Sequence, residues 1–237
     1  MESRKYSHRL SCIFSRMPPH SCCEMRIMQR RITSTGVIVV RSNWGWRNRM
    51  EDAYVLQLLE PKFKEFHLLF CGYAECEPLH SYGPATRPNY IIHYVMGGKG
   101  IYQVGEKKYH ISKGQVFLIE PESLTFYQAD KEEPWTYLWV GFGGTEAKSF
   151  IQDVGLNSRQ LVCQCEGGEE LKEIVFSMLK HTKSTTENLY YLQGRLFDFF
   201  SVLAREITLR QFEDDTTESM HVQEAIDYIK NNYSQGI

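Results

Sequence analysis

Short runs of β-branched and aromatic residues, separated by turn sequences, fill the chain from residue 66 to residue 142. Such runs predict strands, and the Gly-Gly, Lys-Gly and Glu-Pro pairs between them are typical of turns. Closely spaced strands of this kind predict a small antiparallel sandwich or barrel. The runs are Phe66–Tyr73, Tyr90–Met96, Gly100–Val104, Lys108–Ile111, Val116–Ile119, Leu124–Ala129 and Thr136–Phe142.

After Gly144 the apolar residues recur with the 3.6-residue period of an amphipathic helix. One helix is predicted over Thr145–Val154 and a second over Glu169–Lys180. A third contains the longest apolar stripe, formed by Leu189, Leu192, Leu196, Phe199 and Leu203. Its steps of three and four residues suit either the core of the chain or the seam between two copies. Both readings stay open, and we assign the stripe as a candidate dimer interface.

The first 49 residues differ in composition from the rest. They carry ten Lys and Arg residues but only two acidic ones, and they show no sustained apolar period. We predict a basic leader over residues 1–49 that is disordered or not native, with the functional chain starting at Met50. A targeting peptide and a basic arm that contacts phosphates are the alternatives.

The C-terminal end has a similar change of character. An acidic, polar stretch predicts a linker over residues 212–220, and apolar residues at helical spacing predict a last helix over residues 221–237. That helix has little left in the sequence to pack against. We therefore expect it to begin a further domain that has been cut off.

Composition narrows the class of protein. The chain has 237 residues, 42% of them hydrophobic and 24% charged, which is the usual mix of a globular protein. No run of apolar residues is long enough to span a membrane. The net charge of -2 gives no overall basic field for nucleic acid. Seven cysteines without a secretory signal favour a reducing cytoplasm.

Four segments in a fixed order carry a resemblance to a known family. They are residues 87–102, 109–121, 127–130 and 134–142, and together they resemble the AraC-type effector-binding domain of regulators of sugar-utilisation operons in Gram-positive bacteria. Residues 222–234 are similar to the first helix of that family's paired helix-turn-helix domain. On this basis, DNA would be bound only through a C-terminal domain absent from this chain.

The resemblance implies an α+β fold. A cupin-like antiparallel β-barrel, a double-stranded β-helix, would occupy residues 50–143 and bind the effector. An α-helical dimerisation region would follow over residues 144–211 and form a homodimer. By analogy with some members of the family, residues 50–64 would be an arm that folds over the ligand.

The resemblance also implies a sugar as effector. Arg87 matches a family position that binds sugar hydroxyls, Trp135 matches a tryptophan that stacks on the sugar, and Tyr127 matches a tyrosine of the pocket. Flat apolar faces and fixed polar groups are the chemistry that a sugar needs. The weaker candidates, taken from their places in the strands or near the opening, are Trp139, Tyr94, His80, Tyr82 and His93.

Cupin enzymes need a different set of residues, because their metal requires several converging imidazole and carboxylate ligands. The matching stretch here offers the single His93, and Thr125 and Phe126 fill the later histidine position. We therefore predict no metal, no cofactor and no catalysis, with His93 lining the barrel and His110 on the surface. A cupin-type sugar-modifying enzyme remains the alternative.

Overall fold

Antiparallel strands dominate the computed structural model, which describes residues 29–32, 37–42, 53–58 and 60–206. The strands are β1 (Gln29–Ile32), β2 (Val37–Ser42), β3 (Ala53–Leu58), β4 (His67–Glu75), β5 (Ser81–Ala85), β6 (Tyr90–Gly97), β7 (Lys99–Val104), β8 (Lys107–Ser112), β9 (Gln115–Ile119), β10 (Thr125–Ala129), β11 (Thr136–Gly143) and β12 (Val162–Gln164). The helices in the described residues are α1 (Ala147–Asp153), α2 (Gly168–Lys180) and α3 (residues 186–206).

Two sheets face each other. One has the strand order β1-β2-β3-β4-β11-β6-β9-β12 and the other the order β5-β10-β7-β8. From β4 to β11 the chain therefore divides into two four-stranded layers, β4-β11-β6-β9 and β5-β10-β7-β8, which is the arrangement of a double-stranded β-helix. The predicted α+β fold, a cupin-like barrel followed by helices, is confirmed.

The larger sheet has an inner face towards the other sheet and an outer face under the helices. On the inner side, the ring of His93 in β6 lies 5.3 Å from the ring of Tyr127 in β10. On the outer side, Phe176 of α2 packs at 5.0 Å on Tyr73 of β4. Neighbouring residues of a strand point to opposite faces, so strands β4, β6 and β11 face the barrel interior on one side and the helical layer on the other.

Helix α3 is fixed to the barrel by a buried amide. The Gln193 side chain donates to the carbonyl of Phe66 at 2.9 Å and accepts from the backbone N–H of Leu68 at 3.4 Å. A buried polar group is tolerated when it is hydrogen-bonded. Both bonds reach the start of β4, so α3 has a defined position on the sheet.

The stripe of α3 packs inside the chain. Four of its residues are 0% exposed in the single chain, namely Leu192, Leu196, Phe199 and Leu203, and Leu189 is half-buried. The prediction that the stripe meets a second protomer is therefore corrected for these four residues, because they are already buried within the single chain. The exposed large apolar side chains of this helix are Tyr190, 56% exposed, and Phe197, 45% exposed.

The N-terminal part of the chain contributes to the larger sheet. β1 and β2 pair with each other, and β2 pairs with β3, so residues 29–32 and 37–42 of the predicted leader extend the sheet. Residues 53–58 of the predicted arm form β3, which pairs with β4. These residues therefore form a strand of the larger sheet, and a role of the arm in covering a ligand stays a prediction. The rest of residues 1–49, the linker at 212–220 and the helix at 221–237 lie outside the described residues.

All seven strands predicted from residue 66 onwards are present. β5 was missed because Gly83 and Pro84 are typical of a turn. A proline cannot donate a ladder hydrogen bond and is confined to edge strands, and β5 is an edge strand of its sheet. No helix in the described part of the chain has the length and apolar character needed to cross a membrane.

Candidate ligand-binding site

A cluster of aromatic rings fills the inner side of the barrel. The strand register places His93 beside Trp139 of β11 and beside Phe117 of β9. The rings of His93 and Phe117 are parallel, 4.5 Å apart. Tyr127 joins the cluster from the other sheet, 6.0 Å from Phe117. The cluster is defined as Tyr82, His93, Tyr102, Phe117, Tyr127, Trp135, Tyr137 and Trp139 together with Arg87, and the ring of Tyr109 stacks on Tyr102 at its margin.

One cation lies at the β5 side of the cluster. The guanidinium carbon of Arg87 is 4.0 Å from the ring centre of Tyr82, and Nη2 of Arg87 donates to the Tyr127 hydroxyl at 3.4 Å. Tyr82 and Tyr127 are cross-strand neighbours whose rings stack at 5.7 Å. Burial raises the pKa of Tyr127 to about 12, although the charge of Arg87 opposes this rise. The hydroxyl therefore stays protonated and can donate a hydrogen bond.

Three buried polar atoms of the cluster lack a hydrogen-bond partner among the described residues. They are Nδ1 of His93, Nη1 of Arg87 and Nε1 of Trp135. An unpaired buried polar group costs about 1 to 3 kcal/mol, so three in one cluster are unusual for a site with only a packing role. Ligand hydroxyl groups can both donate and accept hydrogen bonds. The site therefore suits a hydroxylated ligand.

The imidazole of His93 is neutral in the folded chain. Burial, helped by the nearby charge of Arg87, lowers its pKa well below the ordinary value. A neutral imidazole offers one donor and one acceptor. His93 therefore adds a hydrogen-bonding group to the site without adding a charge.

The burial of His93 predicts a loss of stability in acid. Because its pKa is lowered by folding, the unfolded chain takes up a proton below pH about 6.5 while the folded chain does not. The free energy of unfolding should therefore fall as the pH decreases from about 6.5, by at most about 1.4 kcal/mol per pH unit from this residue. Urea unfolding between pH 7.5 and 5 measures the slope.

The variant His93→Gln should have a smaller slope over the same range. The pKa of His67 is also lowered by burial, but His67 contributes equally to both proteins, so their difference isolates His93. His110 is exposed, and His110→Gln serves as the matched control with the wild-type slope. An unchanged slope in His93→Gln would contradict the assignment.

Two of the predicted site residues lie away from this cluster. Tyr94 is buried on the outer face, where a Cβ atom at Gly168 of α2 would lie 2.0 Å from its hydroxyl oxygen. His80 is half-buried in the turn before β5, where its carbonyl accepts from the backbone N–H of Ala129. The cluster contains the remaining candidates, which are Arg87, Tyr82, His93, Tyr127, Trp135 and Trp139. His110 is exposed, as predicted.

The two tryptophans have different environments. Trp135 is 0% exposed, with rings of Phe117 and Tyr137 each 5.9 Å away, so no face is open for a ligand to stack on. Trp139 is only partly buried. Trp139 is therefore the more accessible of the two rings, whereas the indole N–H of Trp135 is buried without a hydrogen-bond partner among the described residues.

The sequence analysis missed Tyr137 and Phe117. Tyr137 lies between the two tryptophans and within 5.1 Å of His93, and the spacing Trp135, Tyr137, Trp139 could have revealed it, because alternate residues of a strand share a face. Phe117 could not be found in this way. Its contact with His93 depends on the pairing of β6 with β9.

Two other features of the described residues bear on the choice of site. They contain no group of three or more His, Cys, Asp or Glu residues that could hold a metal ion. An open groove of about 360 Å³ lies outside the barrel beside α1, lined in part by Tyr90, Glu120, Lys148 and Arg159. None of the unpaired polar atoms belongs to its lining residues, so we place the candidate site inside the barrel.

Comparisons with known proteins identify relatives of this chain. A protein from Streptococcus mutans named "Msm operon regulatory protein" is 27% identical over 70% of this chain and 60% of its own length. A raffinose operon transcriptional regulatory protein from Pediococcus pentosaceus is 28% identical over 75% of this chain and 66% of its own length. A lactose operon transcription activator from Staphylococcus xylosus is 24% identical over 77% and 67%.

Among solved structures, a cupin 2 conserved barrel domain protein from Salinispora arenicola aligns with 43% of this chain and 83% of its own, at 16% identity and a TM-score of 0.33.

The chain spans about three fifths to two thirds of the length of the regulators it matches. Residues 67–184 match the family described as AraC-like ligand binding domain. Over these residues, the chain belongs to the AraC-like ligand binding domain family.

Proposed function

We propose that the chain is the ligand-sensing and dimerisation portion of a transcription regulator, and that its barrel binds a small sugar that controls a carbohydrate-utilisation operon. The three unpaired polar atoms inside the aromatic cluster carry this proposal. Three relatives named as regulators or activators of operons, two of them of the raffinose and lactose operons, support it. A regulator of an operon works in the cytoplasm, where the DNA is.

The chemistry of the cluster matches the surfaces of a sugar ring. The C–H face of the ring stacks on an aromatic side chain, for which Trp139 is the partly exposed candidate. The hydroxyl groups of the sugar, on this ring or on a neighbouring one, form hydrogen bonds with the indole N–H of Trp135, Nδ1 of His93 and Nη1 of Arg87. Each bond formed in this way removes the cost of an unpaired buried group.

In this proposal the protein has no catalytic role. The barrel presents one histidine, one arginine and several tyrosines, and this set lacks the converging carboxylate and imidazole ligands of a cupin enzyme. The names of the relatives also support a regulator. A stoichiometric metal in the purified protein would favour the alternative, a sugar-modifying enzyme of the cupin type.

Regulation then follows from a shift of population. A ligand changes the balance of two conformations only by binding them with different affinity. Gln193 and Tyr94 connect the barrel to α3 and α2, so a change of the barrel on sugar binding would alter the positions of the helices. In this proposal DNA is bound through a C-terminal domain, as in other regulators of the family.

We further propose a homodimer that uses the exposed side of α3. Tyr190 and Phe197 lie two helical turns apart there, with Gly194 between them. A Cβ atom at Gly194 would meet no atom within 4 Å, so a second helix has room to approach this surface. Light scattering of the purified chain measures its mass directly.

Thermal unfolding against a panel of sugars tests the proposed function. Lactose and raffinose are the first members because two relatives are named for the operons of these sugars. A ligand at a hundred times its dissociation constant adds about 2.7 kcal/mol, which raises the melting temperature by about 5 to 10 °C. A selective shift is expected, and no shift across mono-, di- and trisaccharides would reject the sugar-sensing proposal.

Replacing Arg87 by alanine is expected to weaken sugar binding by about 1 to 3 kcal/mol, because charged hydrogen bonds to the hydroxyls are lost. Arg87→Lys should restore binding only in part, since lysine keeps the charge but not the planar set of donors. Calorimetry measures both. Arg159→Ala changes an exposed arginine outside the barrel and is the control. Unchanged affinity in Arg87→Ala would remove Arg87 from the site.

A further inference from the structure

Gly72 of β4 lies directly beneath the indole of Trp139. The two residues are cross-strand neighbours in the pairing of β4 with β11. A Cβ atom at Gly72 would lie 2.2 Å from Cζ2 and 2.6 Å from Cε2 and Cη2 of Trp139. Real Cβ atoms essentially never come within 3.0 Å of another heavy atom. The indole can therefore occupy its position only because residue 72 is glycine.

The other neighbours of Trp139 determine where a displaced ring would go. Tyr137 is 5.5 Å away and His93, on the strand beyond, is 6.3 Å away. The backbone of β4 lies on the opposite side. A side chain at position 72 would therefore move the indole away from β4 and into the space over the inner face of the sheet.

The accessible aromatic surfaces of the cluster lie at its two ends. Trp139 over β4 and Tyr82 beneath Arg87 are partly exposed, whereas Tyr137 and Tyr127 between them are buried. The ring centres follow one another at 5.5 Å, 6.3 Å and 5.7 Å from Trp139 to Tyr82. In this series of contacts Trp139 reaches Tyr82 only through Tyr137 and Tyr127, so the two ends offer separate positions for a sugar ring.

We infer that Gly72 is a specificity-determining residue. It lets the indole of Trp139 pack directly against the backbone of β4 and so provides a second stacking position. The site would then fit an oligosaccharide of at least two rings. This inference rests on the proposed function, since it concerns the same barrel site. One ring of the sugar binds at Arg87 and Tyr82, and another stacks on Trp139. A substitution that moves the indole away from β4 removes the second stacking position and leaves the position at Arg87 and Tyr82 unchanged.

Calorimetry with lactose, raffinose and maltose, each compared with its component monosaccharides, tests the inference. The wild-type chain should bind at least one oligosaccharide about tenfold or more tightly than its monosaccharides, as one additional stacked ring allows. Gly72→Ala should remove most of this preference while the monosaccharide affinity stays within about twofold. Gly97→Ala is the matched control, because a Cβ atom there would meet nothing within 4 Å, and it should retain the preference.

Trp139→Ala provides a second test that does not depend on the folding of Gly72→Ala. It removes the stacking surface without a clash, and it should abolish the same preference. In the double variant, the substitution at position 72 should have no additional effect, because its effect acts through the indole. Circular dichroism and thermal unfolding confirm that each variant is folded.

The outcomes separate this inference from the proposed function. A wild-type chain that binds monosaccharides as tightly as oligosaccharides would overturn the role of Gly72 and leave the sugar sensor standing. A preference that survives in Trp139→Ala, or in a folded Gly72→Ala, would overturn it as well. A wild-type chain that binds no member of the panel would reject both.

Discussion

Replacing Trp135 by alanine is expected to lower the free energy of unfolding by about 3 to 5 kcal/mol. The side chain is 0% exposed and contacts the rings of Phe117, Tyr127 and Tyr137. A Cβ atom at Gly100 would lie 2.4 Å from its Cε3 atom, so strand β7 also packs closely on the indole. Removal of the ring leaves a cavity that close-packed neighbours refill only in part. Urea unfolding measures the loss.

Trp139→Ala is the matched control for this experiment. Trp139 belongs to the same aromatic cluster but is partly exposed. Its removal therefore leaves a smaller internal cavity and should lower the free energy of unfolding by less. Sugar affinity should fall in Trp139→Ala without comparable unfolding. A Trp135→Ala variant with unchanged stability and lost sugar binding would contradict the structure and support Trp135 as the stacking residue.

Replacing Leu196 by alanine is expected to lower the free energy of unfolding by about 2 to 5 kcal/mol. Leu196 is 0% exposed and lies on the buried face of α3. Loss of a buried leucine removes both its favourable transfer from water and its packing contacts. Thermal or urea unfolding at several protein concentrations gives the effect and shows that it is independent of association.

Phe197 is the adjacent control, because this next residue of the helix is 45% exposed, with its ring at the margin of the core, 5.6 Å from Phe66. Phe197→Glu should change the mass measured by light scattering from dimer to monomer, and it should cost less stability than Leu196→Ala. A charged substitution at Leu196 that gives a folded, soluble monomer would instead return the buried stripe to the role of dimer interface.

The strands were predictable because their signal is local. Alternating and β-branched runs from Phe66 to Phe142 identified seven strands, and the turn residues between them gave their limits. β5 was not predictable from composition, since Gly83 and Pro84 fit a strand only once its edge position is known. The periodicity of α3 gave the correct apolar face. It could not tell what covers that face, because a helix presents the same stripe to its own core and to a second chain.

The site was predictable only in part. The family resemblance identified Arg87 and Tyr127, which contact each other in the structure. Alternation along one strand separates His93 from Tyr94 but cannot say which of them faces the barrel. The partnership of Trp139 with Gly72 joins residues that are far apart in sequence and depends on the register of β4 and β11. No pattern within a single segment contains that information.

Tyr94 packs directly against α2, so the barrel and the helical layer are in close contact. A Cβ atom at Gly168 would lie 2.0 Å from the Tyr94 hydroxyl oxygen, and one at Gly167 would lie 2.5 Å from Cγ1 of Val202 in α3. Protein interiors have low compressibility and transmit strain, so in the proposed sensor a displacement of β6 would reach α2 through Tyr94 and α3 through the contact of Gly167 with Val202. These two adjacent glycines would then be the positions at which a substitution uncouples the helices from the barrel while the proposed sugar site stays unchanged.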